Sequence, residues 1–249
     1  MKFSIIIATR NAEARLRRCL NSVFSQDYRN YEIVVQDCAS EDGTPAILEE
    51  FKDRINLRSE KDSGVYDAWN KALDRAQGDW AIFLGADDCF AAGDVLMQAH
   101  ARLVRLPERT DFAYGSLLTG RDTRVGGIID RSEAEVYRIF LSAIGFPFPA
   151  TFTRLATLKK YAFDTSYRIA GDFDMAARAV ERDNIARLPL TVAYMEDGGL
   201  STNKKLYHLS LSERVRVIRT HILPKAAMLL ETHLEYLGKE AMPGCPDSV

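Results

Sequence analysis

Four strand-like segments, at 3–7, 31–36, 55–60 and 80–84, the third of them weaker, alternate with stretches in which apolar residues recur at helical spacing. The run 3–7 is short and continuous, the pattern of a buried parallel strand. Leu16, Leu20, Val23 and Phe24 share one helical face; Val65, Trp69, Ala72, Leu73 and Ala76 share another. Thr44-Pro45 opens a helix after the polar turn 37–43, with proline where its missing N–H is tolerated. Gly78 is expected to end the third helix. Strands joined by helices through short connections predict an α/β fold, a doubly wound, mostly parallel sheet with helices on both faces.

The later pattern is less regular. Asp94 is expected to cap a helix holding Val95, Leu96, Ala99 and Leu103, and runs 112–118 and 125–129 read as a strand pair. Phe146-Pro147-Phe148-Pro149 reads as a stiff, extended loop, because each proline biases its predecessor away from helix. A helix over 172–182, a returning strand over 188–195 and a turn at Gly198-Gly199 follow. From Leu211 to Leu237 helical spacing returns, and Pro224 should kink or split it. The expected organisation is a main domain over 1–205, with halves at about 1–92 and 93–205, and a C-terminal helical appendage with a tail over 206–249. Lys204, Lys205, Arg214, Arg216, Arg219 and Lys225 face one acid in that stretch, Glu213. The segment reads as a basic amphipathic helix in peripheral contact with an anionic membrane, or as a helix packed on its own domain. A homodimer contact is a third arrangement.

Composition narrows the class. A net charge of −2 over 249 residues gives no global field favouring nucleic acid. The four cysteines have no metal-type or redox-type spacing, which fits reduced thiols and a cytoplasmic location, peripheral at the inner face of the cell membrane if the substrate is a lipid. The N-terminal apolar core is too short for a secretory signal. No apolar run is long enough for a transmembrane helix.

The run 80–84 stops at two adjacent carboxylates, Asp87 and Asp88. Ligands of open α/β sheets bind beyond the carboxyl ends of the strands, and unpaired charges are costly in a core. Such a pair suits a hard divalent cation, Mn²⁺ or Mg²⁺, and a cation suits a diphosphate. The alternative is that Asp88 caps the next helix and Asp87 sits in water. Thr9 and Asn11, beyond the first strand, can bond a base or ribose and also cap the first helix. Asp37, beyond the second, can accept a pyrimidine N–H. Asp62-Ser63-Gly64 would cover the same crevice, with Gly64 allowing close backbone approach or simply a turn. Together these groups line one sheet edge, as a nucleotide crevice requires.

The chain resembles the family 2 glycosyltransferases of the GT-A fold. The segments that carry the likeness are Ser4-Ile5-Ile6-Ile7-Ala8-Thr9-Arg10-Asn11, Ser22-Val23-Phe24-Ser25-Gln26-Asp27-Tyr28, Glu32-Ile33-Val34-Val35-Gln36-Asp37, Ser40-Glu41-Asp42-Gly43-Thr44, and the stretch 59–71. The Asp-Asp segment completes them. The stretch 59–71 is similar to a subgroup that builds bacterial surface polysaccharides. The resemblance implies an inverting transfer of a sugar from a nucleotide-diphosphate donor, usually UDP, to a hydroxyl of a glycan or lipid-linked acceptor. It implies Thr9, Asn11 and Asp37 on the nucleoside, Asp87 on ribose or the metal shell, and Asp88 as metal ligand. Asp62, Gly64 and Asn70 are further candidate substrate contacts. Ile169-Ala170-Gly171-Asp172-Phe173-Asp174 resembles the segment of the catalytic base, which falls on Asp172; a plain helix N-cap is the alternative. Glu196-Asp197-Gly198-Gly199-Leu200-Ser201 resembles the closing segment.

Two positions depart from the family pattern. Glycine stands at 85 and 171, where an acid is frequent. These departures sustain the alternative of a non-catalytic nucleotide-sugar-binding module or partner subunit. A nucleotidyltransferase would carry a Gly-rich loop after the first strand, and Ala8-Thr9-Arg10-Asn11-Ala12 has no glycine. A dehydrogenase would carry Gly-x-Gly-x-x-Gly there.

Overall fold

Ile5 and Ile7 point to one face of the first strand and Ile6 to the other, and all three are fully buried. That alternation sets the architecture of the computed structural model, which describes residues 1–122, 124–141, 146–198 and 204–241. Helices cover both faces because both faces are apolar. The first part runs β1 (Phe3–Thr9), α1 (Leu16–Phe24), β2 (Tyr31–Asp37), α2 (Thr44–Glu50), β3 (Asn56–Ser59), α3 (Val65–Arg75) and β4 (Trp80–Gly85). The second part runs β5 (Cys89–Phe90), α4 (Val95–Leu103), β6 (Phe112–Arg121), β7 (Arg124–Ile129), α5 (Glu133–Leu141), β8 (Thr151–Arg154), α6 (Leu155–Lys160), α7 (Gly171–Ala179) and β9 (Ile185–Glu196). Helices α8 (Tyr207–Val217) and α9 (Ala226–Ala241) follow.

The strands form one sheet in the order β3-β2-β1-β4-β8-β6-β9-β5, with β7 paired to β6. The expected parallel character holds from β3 to β4. Beyond β4 the sheet is mixed: β8 is antiparallel to both β4 and β6, and β9 is parallel to β6. One core cluster lies under α1, α2 and α4, and the other under α3, α5, α6 and α7.

Several boundaries differ from expectation for local reasons. Helix α3 ends at Arg75, before Gly78, because Ala76 turns extended. Gly78 instead packs against β1, where a Cβ would lie 2.7 Å from Ser4 N. Asp94 stands at the start of α4 without a capping bond; its carboxylate accepts from Gln98 Nε2. The expected extended loop at 146–149 tightens into a 3-10 turn over Phe148–Ala150. Gly199 of the expected turn lies outside the described residues.

The C-terminal segment shares the main core: Val217, Ile222 and Leu229 are buried with the α7 residues Phe173 and Met175. As expected, the segment is split around Pro224, into α8 and α9. A π turn over Ile218–Ile222 and a 3-10 turn over Leu223–Lys225 absorb its missing N–H, and Val217, Ile218, Ile222, Leu223 and Ala226 keep right-handed helical backbone. Part of the basic stretch works internally. Lys225 Nζ donates to the carbonyls of Ala177, Arg178 and Val180 at the end of α7, where a cation is favoured. Arg216 stacks over Tyr167, 4.3 Å from the ring centre. Tyr207, Leu211, Val215, Leu223, Leu230, Leu234 and Leu237 remain exposed. No helix among the described residues is long and apolar enough to cross a membrane.

Candidate active site

Strand register brings the candidate residues to one sheet edge. Thr9 pairs with Asp37, Asp37 with Ser59, and Ala8 with Gly85. Asp37 is fully buried. Its Oδ2 accepts from Ser40 N at 3.0 Å and Ser59 Oγ at 2.6 Å, and its Oδ1 from Ser40 Oγ at 2.5 Å. Asp37 thus builds the loop after β2 rather than standing as a lone acceptor. Asn11 joins that loop: its amide donates to Ser40 Oγ and its Oδ1 accepts from Glu41 N. Neither Thr9 nor Asn11 caps α1, whose N-cap is Arg15. Thr9 Oγ1 is buried without a hydrogen-bond partner among the described residues, an orphan at the edge where a ligand hydroxyl or base would sit.

Asp62 Oδ1 accepts from Gly64 N at 3.0 Å, and Gly64 adopts φ +138° as it leads into α3. Both shape the entry to that helix. Asn70 has partners within the protein. Its Nδ2 donates to Phe163 O at 2.8 Å and its Oδ1 accepts from Phe163 N at 2.9 Å, so both ends of the amide fasten α3 to the loop after α6. It does not reach the cavity.

That cavity, of about 380 Å³, contains Asp87, Asp88 and Asp172. Val65, Tyr66 and Trp69 of α3 form one wall, and Phe146, Phe148, Arg168, Glu196 and Arg214 contribute to the rest. Asp88 is buried at the turn after β4. Its Oδ2 accepts from Gly85 N at 2.9 Å and its Oδ1 from Glu196 N at 3.2 Å, so it ties β4 to the end of β9. Burial, then the neighbouring charge of Asp87, push its carboxyl up to about 7. Each oxygen keeps a lone pair, and a positive charge would relieve the strain on the pair. Among the described residues no cluster of three His, Cys, Asp or Glu forms a metal cage. Glu196 is engaged elsewhere, by Arg15 at 3.3 Å and Arg18 at 3.0 Å. One or two carboxylates with substrate phosphates suffice for a Mg²⁺-like ion, so the residues fit such an ion brought with its ligand.

Asp172, also in the cavity lining, lies in the first turn of α7, inside the helix rather than at its cap, which is Ala170. Its Oδ1 accepts from Phe173 N at 2.8 Å and lies 3.4 Å from Tyr66 Oη. Burial raises its carboxyl above the ordinary range, against the Phe173 amide, the Arg214 charge and the Tyr66 hydroxyl. A partly buried carboxylate of raised pKa in a cleft has the properties of a general base. Asp174, two residues on, faces away from the cavity: it pairs with Arg178 at 2.8 Å and His221 at 3.2 Å.

The family model for glycosyl transferase family 2 matches residues 4–108. A PGL/p-HBAD biosynthesis glycosyltransferase from Mycobacterium tuberculosis is 31% identical over 207 residues, covering 80% of this chain and 78% of its own. The chain is a family 2 glycosyltransferase. A second relative, the poly(ribitol-phosphate) β-N-acetylglucosaminyltransferase TarS of Staphylococcus aureus, is 35% identical over 94 residues, 35% of this chain and 16% of its own. The glycosyltransferase fold is of the GT-A type. The crystal structure of TarS 1–349 in complex with UDP superposes with TM-score 0.71 at 23% identity, over 98% of this chain and 73% of that one. The mannosyltransferase PcManGT from Pyrobaculum calidifontis, in complex with GDP-Man and Mn²⁺, gives TM-score 0.62 at 20% identity, over 98% and 76%.

The two glycines of this glycosyltransferase have steric reasons. A Cβ at Gly85 would lie 2.7 Å from Asp87 Oδ1 and 2.8 Å from Asp88 Oδ2, because both carboxylates fold back over it. A Cβ at Gly171 would lie 2.7 Å from the Tyr66 ring. The expected result for Gly171→Ala is a loss of about 1–3 kcal/mol, the usual cost of overpacking a tight site. Urea unfolding measures it, and an unchanged midpoint would contradict the packing.

Proposed function

We propose that this glycosyltransferase moves a sugar from a nucleotide-diphosphate donor, a UDP-sugar, to a hydroxyl of a glycan or lipid-linked acceptor in polysaccharide biosynthesis, with inversion at the anomeric carbon. One observation carries the reading: a single cavity is lined both by the Asp87–Asp88 pair and by Asp172. The UDP complex of TarS supports the choice of base. Thr9, Asn11 and the Asp37–Ser40 pair form the nucleoside end, and the orphan Thr9 hydroxyl supports that assignment. Asp62 and Gly64 hold the loop over the donor, and Asp87 meets the ribose or the metal shell.

A divalent cation, Mn²⁺ or Mg²⁺, held by Asp88 with Asp87 beside it would supply Lewis-acid stabilisation of charge on the leaving diphosphate. Asp172 takes the proton of the acceptor hydroxyl as that oxygen attacks the anomeric carbon. The bond from that carbon to the diphosphate oxygen breaks, and the diphosphate leaves with its electron pair. One displacement suffices, so no enzyme nucleophile is needed. The wall of Tyr66 and Trp69 lines the same cavity and narrows the approach of the acceptor.

The test is release of UDP from UDP-sugars on addition of candidate acceptors, with the anomeric configuration of the product read by NMR. The expected product is inverted. Retention would overturn the single displacement. A folded protein that releases no UDP with any donor would favour a binding module.

A further inference from the structure

The segment before Asp172 is neither helix nor strand, so its backbone groups need partners from elsewhere. Three of its amides converge on one side chain. Glu213 Oε1 accepts from Arg168 N at 2.8 Å, and Glu213 Oε2 accepts from Ile169 N and Ala170 N, both at 2.9 Å. Glu213 is buried and belongs to α8, more than forty residues along the chain. Charge-assisted bonds of this kind are about twice as strong as neutral ones. They satisfy the amides of Arg168 and Ile169, just before α7, and of its N-cap residue Ala170. From the opposite side, Tyr66 Oη donates to Ile169 O at 2.5 Å. Arg216 of α8 bonds Ser166 Oγ at 3.0 Å and stacks on Tyr167, fixing the residues just upstream.

The next residue of α8, Arg214, lines the same cavity as Asp172, and its charge acts on that carboxylate. Successive helical residues point about 100° apart, so α8 sends one side chain to the backbone and the next into the cavity. Glu213 is also the only acid between 204 and 225, and it is turned inward. A solvated basic helix has no use for a buried carboxylate with three amide partners.

We propose that Glu213 is a positioning residue for Asp172, and that α8 is thereby part of the catalytic apparatus rather than an appendage. The inference rests on Asp172 being the base of the proposed transfer. Glu213 touches no reacting atom; it fixes the turn from which Asp172 projects into the cavity.

The test compares the wild type, Asp172→Asn, Glu213→Gln and Glu213→Asp in one series. Glu213→Gln keeps the size of the side chain but replaces an acceptor oxygen by a donor that opposes an amide N–H. The expected result is a fall in kcat of about 10- to 100-fold with donor affinity held within about twofold, the split that marks a transition-state effect. The acid limb of kcat moves to lower pH, because a loosened segment lets water reach Asp172. Amide exchange at 168–170 speeds up, a readout independent of activity. Wild-type kcat and acid limb in folded Glu213→Gln would overturn the inference. So would a loss of turnover matched by an equal loss of donor binding, which marks general scaffold damage. If Glu213→Gln does not fold, Glu213→Asp, shorter by one methylene, carries the same comparison. An inactive wild type, or full activity in Asp172→Asn, would strike the transfer reading itself. An active wild type and inactive Asp172→Asn beside a normal Glu213→Gln would strike this inference alone.

Discussion

Replacing Asp172 by asparagine is expected to lower transfer by about 10²-fold or more, the usual worth of a positioned general base. The amide keeps an oxygen for the Phe173 N–H, so the turn should survive. Donor binding should change little, because the proposed contact to the donor diphosphate is at Asp88, not at Asp172. The pH dependence has a defined sign. A base must be deprotonated to act, and burial raises the Asp172 carboxyl above the ordinary carboxylate range. Wild-type turnover should therefore rise with pH through a limb above that range, and the limb should vanish in Asp172→Asn. Wild-type turnover in the variant would show that Asp172 is not the base.

The second large effect is at Asp88. Asp88→Asn should cost at least about 10²-fold in metal-dependent transfer, because Lewis-acid stabilisation is worth several kcal/mol. Its effect on folding runs the other way. The Asp88 carboxyl sits at about 7 in the folded protein, above its unfolded value of about 3.9. The folded state then binds the proton more tightly, so stability is lost as pH rises from about 4 to about 7, on the order of 4 kcal/mol. Asparagine carries no such charge, so without metal the variant's stability should lack this fall between about pH 4 and about 7, although its NH2 group opposes the Gly85 or Glu196 N–H. Mn²⁺ should stabilise the wild type at pH 8 and far less at pH 5.5, where a proton competes for the site. A metal response in Asp88→Asn equal to that of the wild type would remove Asp88 as ligand.

Much of the first half was legible because β1, β2 and β4 carry the apolar stretches Ile5–Ile7, Ile33–Val35 and Trp80–Leu84, buried on both faces. Strand β8 was not. It is four residues, two of them threonine, and exists because β4 and β6 bracket it. Helix α5, with Glu133 and Glu135 in its first turn, carried a pattern that went unread beside the strand pair. Asp87, Asp88 and Asp172 were legible as residues, and the cavity brings them together. The hydrogen bonds of Asp37 to Ser40 and Ser59 and of Asn70 to Phe163 were not, because a side chain bonded within the protein looks the same in sequence as one facing a ligand. The glycines at 85 and 171 read as departures, and only the positions of Asp87, Asp88 and Tyr66 show that a Cβ there would force a neighbouring side chain to shift. Glu213 did leave a signal, one acid among six cations. Its meaning depends on a contact across more than forty residues, which spacing cannot reveal.

Calorimetric titration with UDP, GDP and dTDP, each with Mn²⁺ and with chelator, tests the central claim most directly. Mn²⁺-dependent binding of UDP, weakened by chelator and lost in Asp88→Asn, is the expected result. No binding of any nucleotide, with or without the metal, would contradict a donor site running from Thr9 to Asp88.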